Sequence, residues 1–162
     1  MRKRLISPTR ETDISAERCW LELERATLVE VTSEADAYPI EGALLNDEKR
    51  GWRAGVPGIQ TIRLLFDAPQ TIQTIRVVFK EEEIVRTQEF VLRWLPHGVG
   101  SWKDIVRQQW NFSPPNTVDE YEEYNVELSS AAALELTINP DIARGEARAS
   151  LARLQVAVQI DS

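Results

Sequence analysis

An indole beside a guanidinium is the pairing in this sequence best suited to holding a small polar ligand, and it occurs at Trp52-Arg53. The ring face can stack on the apolar side of a sugar while the fork of N–H donors reaches its hydroxyls. The same pair fits a purely architectural role, with the indole closing the end of a core and the guanidinium pairing with a carboxylate. Carboxylates occur in two runs, Glu81-Glu82-Glu83 followed by Arg86, and Asp119-Glu120-Tyr121-Glu122-Glu123. The first could offer oxygens to hydroxyls or to Ca²⁺, which takes roughly six to eight of them. It has no recognisable cation-loop spacing, and three adjacent glutamates read as a solvated turn. The second reads as a solvated acidic loop that could dock a basic partner.

For catalysis the inventory is short. His97 is the single histidine and Cys19 the single cysteine, and no spacing marks a partner for either. No G-x-S-x-G, H-E-x-x-H, P-loop or G-x-G-x-x-G is present. A lone thiol excludes an intrachain disulfide and a metal site built on paired thiolates. No enzymatic activity, cofactor or metal is expected, although a carboxylate pair drawn from distant strands is a route that spacing does not reveal.

The chain is 162 residues long, 43% hydrophobic and 28% charged, with a net charge of −7, which places it among globular domains. Phosphate backbones demand a basic footprint, and only Arg2-Lys3-Arg4 offers one, so nucleic acid is not an expected partner. Apolar runs are broken by Glu, Arg or Gln well short of the roughly 20 residues needed to span a bilayer. No apolar h-region follows the basic start, and the cysteine count fits a reducing compartment. A cytoplasmic location and no membrane association are therefore expected.

The elements that must position these residues read as strands. Period-2 alternation runs through residues 28–32, 59–66, 72–79, 87–95, 124–129, 134–139 and 154–160. The separators 67–70, 96–100, 113–116 and 139–141 carry Pro, Gly, Asn or Asp, and proline both fixes φ and removes a ladder donor, so each should end a strand. Seven or more short strands so punctuated imply an antiparallel sandwich or barrel. Ile59 to Phe66 recurs almost unchanged as Ile72 to Phe79, which reads as two neighbouring strands joined through the Asp67 to Gln70 turn. Residues 15–25 fit a capped helix or a strand equally. Ser101-Trp102-Lys103-Asp104 fits a capping box leading into a short helix, with an irregular strand as the alternative.

The order of features resembles the galactose-binding-like, discoidin (F5/8 type C-like) superfamily. It runs from Thr32-Ser33-Glu34 through a loop with Tyr38-Pro39-Ile40-Glu41-Gly42-Ala43-Leu44 to Gly51-Trp52-Arg53-Ala54. The pattern Leu64-Leu65-Phe66-Asp67 with Ile72-Gln73-Thr74-Ile75 follows, then Thr87 to Leu92, Trp102 and the closing Ala149 to Val156. The resemblance covers roughly residues 26–160 and implies an all-β, antiparallel β-sandwich of jelly-roll type over 26–162, preceded by an N-terminal extension, 1–25. Gly51-Trp52-Arg53-Ala54, with Gly58 and Thr61-Ile62, is also similar to a stretch in the amino-terminal domain of the eukaryotic single-strand-break repair scaffold, which shares this fold. The charge balance argues against a DNA role here. The superfamily includes glycan binders, lipid binders, docking modules and enzyme appendages, so the resemblance implies a fold before a function.

In such sandwiches ligands usually meet the loops at one end, and loops on a rigid scaffold concentrate function. That brings forward Tyr38, Trp52, Arg53, His97 and Trp102 as candidate ligand-binding residues, from the loops 33–44 and 50–58 and the region 96–102. The expected function is a non-catalytic module binding carbohydrate, with an intracellular protein-interaction or assembly module as the alternative.

Overall fold

The computed structural model describes residues 18–45 and 50–159. The Arg2-Lys3-Arg4 patch and the start of the 15–25 segment lie outside them. Two strand pairings organise everything else. β4 (Gln60–Lys80) and β7 (Asp119–Asn139) run antiparallel along their whole length. Each serves two layers. The first half of β4 and the second half of β7 pair with β2 (Thr27–Val31) on one side and with β5 (Arg86–Pro96) and then β6 (Lys103–Phe112) on the other. The other halves continue into a layer completed by β9 (Arg153–Val158) and β1 (Cys19–Trp20). The layers pack face to face, with Phe79 and Phe90 5.1 Å apart between ring centroids and Tyr124 edge-on to Phe90 at 6.5 Å. The result is the antiparallel β-sandwich expected from the alternation.

The repeated segment behaves differently from a hairpin. Ile59 to Phe66 and Ile72 to Phe79 do not pair with each other; apart from Ile59, just before its start, they lie end to end in β4. The register with β7 shifts between Leu65 and Gln70, between Gln70 and Ile72, and again between Ile72 and Thr74. Pro69 falls within the first shift, where no ladder donor is required of it. The bulges also change the parity of the buried face, from Ile62, Leu64 and Phe66 to Ile75, Val77 and Phe79. Both copies of the repeat thus point the same positions into one core.

Three other segments depart from expectation or resolve an alternative. The capping-box segment forms strand β6, because the exposed edge of β5 supplies a full ladder of partners from Arg86 to Trp94. The acidic run 119–123 is the first part of β7, with Glu120 fully buried, and not a solvated loop. Residues 18–25 lie on the same core: Cys19-Trp20 pair with β9, a single helical turn α1 (Leu23–Ala26) follows, and Leu23 is buried. No helix among the described residues is long and apolar enough to cross a membrane.

Candidate functional site

β4 and β7 carry the chain across one end of the sandwich. At the other end all connections are loops, and these build a cleft of about 420 Å³. Its lining comes from three places: Tyr38 with Arg50 and Arg53, Lys80 to Ile84, and Glu146 to Arg148 with Ser150 to Ala152.

The first wall is set by the short strand β3 (Trp52–Arg53), paired with β8 (Ser150–Leu151). Strand alternation sends its two side chains in opposite directions. Trp52 points inward and is 1% exposed, its indole N–H donating to the carbonyl of Ser33 at 3.0 Å. The stacking face considered for Trp52 is therefore closed to a ligand. Arg53 points outward and lies over the Tyr38 ring at 4.7 Å. Tyr38 is held by backbone bonds: the Arg53 N–H donates to its carbonyl at 3.1 Å, and its own N–H donates to Ala35 at 2.9 Å. Ser33 ties this loop to the core by donating to Gln60 at 2.6 Å and accepting the Gly55 N–H at 2.9 Å.

Close backbone approach fixes the base of the same wall. Gly51 has φ of 73°, and a Cβ there would sit 2.7 Å from the Leu151 carbonyl. A Cβ on Gly42, in the helical turn α2 (Glu41–Leu44), would collide with the Gly51 carbonyl. Both positions require glycine for space, and Gly51 for conformation as well.

The opposite wall, 80–84, is anchored by Glu81. One of its carboxylate oxygens accepts the Arg86 Nε–H at 2.7 Å; the other accepts the N–H groups of Glu83 and Ile84 at 3.0 and 3.4 Å. Burial alone would raise this carboxyl, but the Glu83 N–H and the Arg86 guanidinium outweigh it and hold it below the usual carboxylate range. Arg86 is 3% exposed and lies over the Phe112 ring at 4.7 Å. It donates through Nη1 to Pro140 at 2.8 Å and to Gln88 at 3.1 Å, and Gln88 donates to Glu120 at 3.2 Å. A buried polar chain thus runs from the cleft wall to Glu120 between the layers. Burial, with the neighbouring charge of Glu122, pushes the Glu120 carboxyl up to about 8, so it is largely protonated at neutral pH. Arg86 Nη2, Glu120 Oε2, Tyr124 OH and Trp110 Nε1 have no partner among the described residues.

Of the sequence-derived candidates, Tyr38, Trp52 and Arg53 meet at the cleft, Trp52 beneath its surface. His97 and Trp102 lie elsewhere. The His97 N–H donates to Ser130, in the bend of β7, and Trp102 lies on the outer face of the first layer with Arg63 5.8 Å from its ring. The lining also includes Lys80, Ile84, Glu146 and Arg148, which no local motif marks, and Glu81 to Glu83, which the sequence reads as a solvated turn. A shallower depression of about 360 Å³, lined by Gln109, Trp110, Asn111 and Thr117, lies along β6. Among the described residues no group of three or more His, Cys, Asp or Glu side chains is placed to hold a metal ion.

No family model and no curated protein matches the sequence. Solved structures do match in fold. The family 32 carbohydrate-binding module of Clostridium perfringens NanJ, in complex with galactose, has a TM-score of 0.63 at 14% identity, covering 86% of this chain and 98% of that one. Another family 32 module from C. perfringens, CpGH89CBM32-5, in complex with GalNAc-β-1,3-galactose, gives 0.65 at 17% identity over 85% and 99%. An F5/8 type C domain from Bacteroides fragilis gives 0.60 at 13% identity over 86% and 95%. With the bent β4 and β7, the two packed layers and the loop-built cleft, these likenesses show that the chain has the galactose-binding-like, discoidin-type β-sandwich fold.

Proposed function

We propose that this protein is a non-catalytic carbohydrate-binding module that takes its ligand in the open-end cleft. The observation that carries the reading is the composition of that cleft on this fold: an aromatic ring with a guanidinium on one wall, carboxylates on the other, and a volume within the roughly 300–1,000 Å³ of small-ligand sites. Sugars present hydroxyls that need both donors and acceptors, and C–H faces that pack on aromatic or aliphatic surface. Arg50, Arg53 and Arg148 supply donors, Glu83 and Glu146 supply acceptors, and Tyr38 and Ile84 supply apolar contact. The structural neighbours include modules solved with galactose and with GalNAc-β-1,3-galactose, which supports a glycan over other small polar ligands. The backbone at Tyr38 and the turn at Glu81 are anchored by hydrogen bonds, which reduces the backbone ordering that binding must impose on these two walls.

A glycan array probed with the purified protein tests this. Binding to a defined set of glycans, abolished or weakened at least ~10-fold by Tyr38→Ala, is the expected result. An array without any hit, or a hit whose affinity Tyr38→Ala leaves unchanged, would overturn it.

A further inference from the structure

Among the described residues, the arginines of the long strands differ from those around the cleft. Those on the strands are paired: Arg63 with Glu135 at 2.8 Å, Arg76 with Glu123 at 2.8 Å, Arg86 with Glu81 at 2.7 Å, Arg93 with Asp104 at 2.7 Å and Arg107 with Glu89 at 2.5 Å. Among the described residues, Arg50, Arg53, Arg144, Arg148 and Arg153 make no ion pair, and all belong to the open-end loops, to the short strand β3 or to the first residue of β9. Three of these, Arg50, Arg53 and Arg148, line the cleft. In a chain of net charge −7, carboxylates are plentiful, yet none among the described residues pairs with these guanidiniums. The Arg53 guanidinium lies over the Tyr38 ring, which orients its plane, and its N–H fork has no hydrogen-bond acceptor among the described residues.

Cleft carboxylates narrow the ligand further. Glu81 is taken up by Arg86, and Glu82 by Lys80 at 3.4 Å, while Glu83 and Glu146 have no ion pair among the described residues. A dense polyanion would meet these two with like charge. A ligand with one carboxylate and several hydroxyls uses both sets: guanidiniums take the carboxylate in forked hydrogen bonds, and Glu83 and Glu146 accept from hydroxyls. We propose that the cleft selects acidic sugars, glycans carrying a uronate carboxylate, over their neutral counterparts. This rests on the carbohydrate reading above and specifies its ligand.

The test compares two probes that differ only at the acid: a galacturonate oligosaccharide and the galactose oligosaccharide obtained by reducing its carboxyl groups. Calorimetric titration of the full chain is expected to show the galacturonate probe binding about 10-fold or more tightly, with the preference shrinking as salt rises from about 0.05 M to about 0.5 M. Arg148→Gln, at an exposed position, should weaken binding of the galacturonate probe more than binding of the galactose probe and so bring the ratio towards one. Equal affinity for both probes, or a preference that survives Arg148→Gln and Arg50→Gln together, overturns the acidic-sugar inference while the carbohydrate reading stands. Binding of neither probe overturns this inference; a glycan array that is also blank overturns the reading beneath it.

Discussion

At the bent end of the sandwich β4 and β7 cross between layers as continuous strands, whereas at the open end both stop and loops make every connection. The difference shows in what each end buries. Near the bend the interior is mostly apolar, with Phe66, Ile72, Leu128 and Ala131 beside the small Thr74. Near the open end it includes Gln60, Arg86, Gln88 and Glu120. Burying such groups is costly unless they are hydrogen-bonded, and there they bond to one another and to the loops that form the cleft. Closing a sandwich with strands leaves no room for a ligand. Closing it with loops leaves a cleft, and the loops must then be held by polar anchors from the core.

The largest effect that tests this division is at Trp52. If it is core and not ligand surface, Trp52→Ala should cost about 3–5 kcal/mol in denaturant unfolding, as large-to-small substitutions in packed cores do. A loss under about 1 kcal/mol, with weakened glycan binding, would return Trp52 to the ligand surface.

Glu120 gives the next effect. Its carboxyl stands near 8 in the folded protein against 4.5 for an ordinary glutamate, so the folded state holds a proton that the unfolded chain releases. That stability is fully present below about pH 4.5, declines as pH rises, and is gone above about pH 8, a change on the order of 2–4 kcal/mol. Glu81, Glu89 and Glu123, held low in the folded state, act in the opposite sense and only at acid pH. Urea midpoints between about pH 5 and pH 9 therefore isolate Glu120, and Glu120→Gln should flatten the decline and be the more stable protein at pH 9. An unchanged slope in the variant would place the titration elsewhere.

A smaller effect contrasts glycines at the two ends. Gly51→Ala introduces both a strained φ of 73° and a clash with the Leu151 carbonyl, and should cost about 2 kcal/mol or more. Gly98→Ala, in the turn beyond β5, has a similar φ of 79° but open space around it, and should cost about 1 kcal/mol. Equal costs would mean that the Gly51 base of the cleft yields freely.

Much of the layered fold was legible because alternation reports burial directly. Tyr124, Val126 and Leu128, or Leu134, Leu136 and Ile138, face inward as their spacing implies. The bend of β4 was not legible: Asp67-Ala68-Pro69-Gln70 carries the chemistry of a turn, and a bulged crossing uses the same residues, so only the partners of each half distinguish them. Glu120 could have been found. Extending the inward register of Tyr124 and Val126 back along the chain reaches Glu122 and then Glu120, but a run of acids reads as solvated unless that register is followed. Trp52 and Arg53 were visible as a pair, while their opposite directions depend on β8, which lies far along the chain. Arg50 and Arg148 carried no such local signal, since what distinguishes them is that no ion-pair partner stands beside them among the described residues, and partners are set by the fold.

The central claim is that the ligand meets the open end. Calorimetric titration of the tighter-binding of the two oligosaccharide probes into Arg53→Ala and His97→Ala tests it most directly, because both side chains are exposed, one at each end. The account predicts a loss of about 10-fold or more for Arg53→Ala and a change within about 2-fold for His97→Ala. An affinity that falls with His97→Ala and holds with Arg53→Ala would contradict it.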